Sequence, residues 1–81
     1  MNELELEVRA ILYRDWNPCG IEGLPEDEYD TYVPWVAELV ASRDPNISVF
    51  LAVLQDHYFC GLGPDEETLK RIATELRKLN P

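Results

Sequence analysis

Apolar residues recur in this chain at helical spacing in four separate runs, with proline and glycine between them. A chain patterned this way can hide its apolar surface only by packing helix against helix. In the first run Leu4, Val8, Ile11, Leu12 and Trp16 follow a period near that of an α-helix. Asn2 is placed to cap this helix, and Glu5, three residues on, completes a capping box. Pro18 disfavours helical geometry at Asn17, so the helix should stop near Trp16. The next stretch holds Pro18, Gly20, Gly23 and Pro25 and reads as an ordered loop whose Ile21 and Leu24 turn inward.

Tyr29, Tyr32, Val33, Val36, Leu39 and Val40 form the second stripe. Pro34 interrupts it. Either the helix starts close to Asp30, with Pro34 in or just beyond the first turn, or it is kinked there. Its end is expected between Ala41 and Arg43, before Pro45. The third helix should open with Asp44 as N-cap and Pro45 at the first helical position. Its stripe is Ile47, Phe50, Leu51, Leu54 and Tyr58; Val49, Ala52 and Val53 widen it, which predicts the central helix of the fold. Gly61 and Gly63 end it, and Pro64 and Asp65 open a fourth helix with the stripe Leu69, Ile72, Ala73, Leu76 and Leu79. Glu66 and Glu67 in its first turn, and Arg77 and Lys78 in its last, match the helix dipole at both ends. No segment alternates with the period of a strand.

These runs predict an all-α fold, a compact antiparallel bundle of four helices, occupying residues 1–81 as a single domain. In such a bundle the first and third connections share one end, which would make neighbours of Cys19, Cys60 and His57.

Apolar residues make up 46% of the chain, enough for a core and too many for a disordered segment. The net charge is −9, with 16 acidic residues against 7 basic ones. A field of that sign repels nucleic-acid phosphates and anionic membrane surfaces, so the expected partner is a basic protein. No apolar run reaches the length of a membrane span, and Met1-Asn2-Glu3-Leu4-Glu5 is acidic where a secretory signal is basic. A cytoplasmic protein with reduced thiols is the expectation.

The acidity is unevenly placed. Glu22, Glu26, Asp27, Glu28 and Asp30 follow one another with no basic residue among them, and Arg43 is the only Lys or Arg from Asp15 to Thr68. Tyr29, Tyr32 and Trp35 interleave with or follow these acids, and Trp16 precedes them. Trp and Tyr join large contact area to a hydrogen-bonding tip, which suits them to binding hot spots. Trp16 and Tyr32 fall on core stripes. Trp35 lies off its stripe, so it is the candidate anchor beside the acids.

Two metal patterns have to be weighed. From Asp15 an EF-hand register would place Asp15, Asn17, Gly20 and Glu26 at its first, third, sixth and twelfth positions. Cys19 then occupies a position that needs oxygen, and Pro18 and Pro25 stiffen the loop, which argues against calcium. His57 and Cys60, with Cys19, supply three of the four ligands zinc prefers. The simpler reading is a helix-end histidine and two small buried thiols, so neither a metal nor a cofactor is expected. With one histidine, no phosphate-cradling loop and no Ser/His/Asp order, only carboxylate pairs such as Asp27 and Asp30 and a Cys60–His57 dyad at a helix end are left, and the chain is not expected to be an enzyme.

The run Arg14-Asp15-Trp16-Asn17-Pro18-Cys19-Gly20-Ile21, followed by Asp27-Glu28-Tyr29-Asp30-Thr31-Tyr32-Val33, resembles a family of small uncharacterised bacterial all-α proteins. In that family the first helix ends in Trp-Asp-Pro-x-Gly, and Asp-Glu-Tyr-Asp-x-Tyr opens the second. The resemblance extends loosely to His57 and Gly61-Leu62, and the chain departs from it at Asn17, where the family tends to have Asp. It implies a helical fold, a prokaryotic setting, no established catalytic residues and a likeness to the immunity partners of bacterial toxins.

The expected function is therefore a small acidic protein-binding module, an immunity or antitoxin-type inhibitor, with Glu22, Glu26, Asp27, Glu28, Asp30 and Trp35 at the contact. One alternative is a phage-type anti-defence inhibitor that mimics nucleic acid. The other is a metal-binding or redox domain using Cys19, His57 and Cys60.

Overall fold

The computed structural model describes residues 1–79, and within them the chain is all-helical. Helix α1 covers Glu3–Ile11, α2 Val33–Ala41, α3 Ile47–Tyr58 and α4 Glu66–Arg77. Contacts run from α1 to α2, α2 to α3, α3 to α4 and α4 back to α1, so the four helices close a ring around one core. The radius of gyration is 11.5 Å, that of a tightly packed chain of this length.

Helix α1 begins as the capping box requires. Asn2 Oδ1 accepts from the Glu5 amide at 2.8 Å, and the Glu5 carboxylate accepts from the Asn2 amide at 3.1 Å. Its last turn is wider than the sequence period predicts. Residues Leu12–Trp16 form a π-helical turn in which the Asn17 amide reaches back five residues to the Leu12 carbonyl, at 2.9 Å. Asn17 then takes a positive φ of 26°, which asparagine tolerates better than most residues, and the helix stops.

The connection 17–32 is the longest in the molecule. From Pro25 onward it advances by successive turns, the Glu28, Asp30 and Tyr32 amides bonding to carbonyls three residues back. These turns stand where an early helix start was expected; α2 itself begins at Val33, with Pro34 in its first turn and no kink required. Leu24 packs on the core as predicted, whereas Ile21 points out to solvent, because it sits between the positive-φ turns at Gly20 and Gly23.

Helix α2 ends in a Schellman turn: the Asp44 amide bonds to the Leu39 carbonyl at 2.9 Å and Arg43 takes the left-handed φ of 56°. Asp44 then accepts from the Asn46 amide at 2.8 Å, but regular helix starts at Ile47, two residues later than Pro45 would have placed it. Helix α3 is not the central element. Ile47, Leu51 and Leu54 are buried, but Val49, Val53 and Tyr58 face solvent. In a ring of four helices each member has an outer side, so an apolar stripe that wraps too far must emerge. Helix α4 follows its sequence closely, with Asp65 accepting from the Thr68 amide at 2.9 Å and Leu69, Ile72, Ala73 and Leu76 buried. That amide bond holds the Asp65 carboxyl below its ordinary pKa.

Candidate functional site

The stretches 14–21 and 27–33 meet at one end of the bundle. Trp16 is 1% exposed, and its ring lies 5.5 Å from that of Tyr29 and 5.7 Å from that of Phe59. A buried indole needs an acceptor for its N–H. Gln55, itself buried on α3, provides one at 2.8 Å, and its amide nitrogen donates onward to the Pro64 carbonyl at 3.2 Å. Gly63 makes room for this arrangement: a Cβ there would stand 2.7 Å from the Gln55 side-chain carbon. Nothing in the apolar periodicity marks Gln55. The signal that could have found it is a glutamine inside the buried stripe of α3.

Tyr29 is also core, 2% exposed, as its place on the second apolar stripe predicts and despite the acids on either side of it. Its hydroxyl donates to Asn17 Oδ1 and accepts from the Cys19 amide at 3.4 Å. Burial, reinforced by the neighbouring Cys19 thiol, pushes the Tyr29 phenol up to about 12. Asn17 Nδ2 donates to the Ile21 carbonyl at 3.3 Å, a bond an ionised aspartate could not make. The Trp-Asn-Pro run and the Asp-Glu-Tyr-Asp run thus contribute an internal clasp, with Trp16, Asn17 and Tyr29 turned inward.

The acids of the second run divide. Asp30 is half-buried and takes a paired contact from the Arg9 guanidinium, with Nε donating to Oδ1 at 2.9 Å and a second nitrogen to Oδ2. Asp30, Asp27 and Glu26 all favour the charged guanidinium and raise its pKa, the hydrogen bond to Asp30 most of all. Glu22, Glu26, Asp27 and Glu28 are exposed, and none of them forms an ion pair among the described residues. Tyr13 donates its hydroxyl to the Leu24 carbonyl, so the acidic strap, residues 22–30, is tied to Arg9 on α1 and to Tyr13 in the π-helical turn, and through Tyr29 to Asn17 at the start of the same connection. Arg9 and Tyr13 lie off the buried stripe, and their anchoring role is visible only once α1 lies beside the strap.

Trp35 is 43% exposed, in keeping with its offset from the stripe, and its ring lies tilted against that of Tyr32 at 5.9 Å. It forms one wall of a groove of about 580 Å³ between α2 and α3, lined also by Glu38, Phe50, Val53, His57 and Tyr58 and by none of the strap acids. Sequence reasoning passed over this groove. Its signal was the excess apolar width of α3.

The metal patterns do not assemble. No group of three or more His, Cys, Asp or Glu side chains among the described residues could hold an ion. Asp15 is held by Arg14 through bonds of 3.0 Å, and Glu26 lies toward Arg9, so the EF-hand positions do not converge. The first and third connections do meet, but Phe59 is the residue turned into the junction. Both cysteines are free, Cys19 is only half-buried and Cys60 is exposed on a left-handed turn, so the picture of two buried thiols does not hold. No described helix is long and apolar enough to cross a membrane.

Among known proteins, no family model, no curated protein and no solved structure matches this chain.

Proposed function

We propose that this protein is a small acidic binding module that docks onto a basic protein surface, in the manner of an immunity protein or antitoxin covering its toxin. The observation that supports this reading is the strap. Glu22, Glu26, Asp27 and Glu28 present unpaired carboxylates on a segment that lacks regular helix and is nevertheless anchored by side chains on its inner side. An anchored strap holds its charges in place before the partner arrives, which lowers the ordering cost of binding. Together with a net charge of −9, it should speed encounter with a cationic surface and make that encounter sensitive to salt. A toxin that acts on nucleic acid carries such a surface at its active site, and an acidic occupant would block substrate entry.

The test starts with affinity capture from the native host and mass spectrometry of what is retained. Association of the captured partner is then timed for the wild type and for the triple variant E26K/D27K/E28K. The variant should associate more slowly by roughly tenfold at low salt, with the gap closing as salt rises. An unchanged on-rate, or a captured partner with an acidic surface, would overturn the reading.

A further inference from the structure

The α2–α3 groove has the form of a receptor for one more helix. Trp35 and Tyr58 both pack against Tyr32 at one end, at 5.9 and 5.6 Å, while Ser42 and Phe50 line the other. From Trp35 to Ser42 the groove follows α2 for about 10 Å, two turns of helix. Trp35, Val53 and Tyr58 are each two-fifths exposed or more, so the groove presents apolar side chains to water.

Charge and shape select the occupant. Neither α2 nor α3 contains a Lys or Arg, and Glu38 is the one carboxylate on the groove wall. A second copy of this chain would bring another net charge of −9 to the same place. A two-fold pairing would also set concave groove against concave groove, because isologous contacts join identical patches. An extended peptide would find no sheet edge here to satisfy its backbone, whereas a helix satisfies its own. We infer that the groove binds an amphipathic, lysine- or arginine-rich helix of a partner protein, its apolar face seated between Trp35, Val53 and Tyr58 and a cationic side chain on Glu38. This rests on the binding-module reading only for the sign of the partner's charge.

The probe is a synthetic helical peptide of about 18 residues, long enough to hold helix in water, with leucines along one face and lysines on the rest. It is titrated into isotopically labelled protein, with amide and indole NMR shifts as the readout. Shifts should concentrate at the Trp35 indole and along 35–42 and 50–58. Val53→Asp, a change at an exposed position, should weaken binding at least tenfold, and Glu38→Lys severalfold, with folded spectra in both. E26K/D27K/E28K should leave the location of the shifts unchanged. The inference falls if the shifts map to the strap, if a scrambled peptide without an apolar face fills the groove equally well, or if the groove signals move with protein concentration alone. Should the captured partner be lost on Val53→Asp but keep its on-rate with the strap triple variant, the groove stands and the strap reading falls.

Discussion

Two aromatic clusters adjoin in this molecule, and Tyr32 touches both, its ring 5.8 Å from Trp16 and 5.9 Å from Trp35. At the end of the bundle Trp16 and Tyr29 are sealed in, and each polar tip has an internal partner: Gln55 for the indole and Asn17 for the phenol. On the α2–α3 face Trp35 and Tyr58 stand partly in water. Residue type does not distinguish the two sets, nor does proximity to acids in the sequence. The difference lies in what the rest of the fold brings to each ring. A tryptophan or tyrosine that is buried needs a hydrogen-bond partner inside the fold, and one left in water keeps its polar tip for an outside partner.

The two tryptophans give the sharpest way to break that contrast. Trp16→Ala should cost about 3–5 kcal/mol, from lost burial and an emptied cavity, and it also strips the buried Gln55 carbonyl of its donor. Against a total stability of about 5–15 kcal/mol for a small domain, that loss leaves a marginal fold. Trp35→Ala should cost about 1 kcal/mol or less. Urea unfolding of both variants decides the matter, and equal losses would mean that Trp35 is as structural as Trp16.

How far the sequence reveals this arrangement depends on whether a residue's partner is local. The capping box at Asn2 and Glu5, the Asp65 cap and the buried stripe of α4 all involve neighbours within a turn or two, and each is legible as written. The exposure of Trp35 follows from its angle on α2. By contrast Tyr29 with Asn17, Arg9 with Asp30 and Trp16 with Gln55 are pairs separated by 12, 21 and 39 residues. Periodicity carries no information about such pairs: it places Tyr29 on the apolar stripe without showing what its hydroxyl binds, and Asp30 reads as one more surface acid when it is an anchor. Of the acids expected at the contact, Asp30 is the one the fold engages internally. Helix α3 misleads for a related reason: its apolar width is real, but the ring closes on one side of it only, and the remainder forms the groove.

Removing one hydroxyl from the sealed cluster gives a smaller and pH-dependent effect. Tyr29→Phe keeps the ring and deletes the bonds to Asn17 and the Cys19 amide, a loss of about 1 kcal/mol near neutral pH. The phenol titrates near 10 when unfolded and is pushed up to about 12 by burial in the fold. Between those values the unfolded chain has released a proton that the folded one retains, so rising pH favours unfolding. Wild-type stability should therefore hold below pH 10 and decline from there toward pH 12, whereas Tyr29→Phe should show a shallower decline. Melting temperatures at about pH 8 and about pH 11 measure both slopes. Equal slopes would mean that Tyr29 is not sealed from solvent as the cluster requires.

The smallest expected change comes from the outward side of the strap. In E26K/D27K/E28K each reversal alters the charge by two, taking the net value from −9 to −3. Relief of self-repulsion favours the folded chain, while new lysines near the Arg9 guanidinium oppose it. Both effects act through water at exposed positions, so they should nearly cancel, with stability within about 0.5 kcal/mol of wild type and any difference shrinking in salt. The same variant is expected to bind its partner slowly, and the pairing of those results is what matters. A stable variant that associates slowly separates the strap's outer charges from its inner anchors. A variant that loses stability as Trp16→Ala does would make the acids part of the clasp, and the division between sealed and open regions would have to be drawn elsewhere.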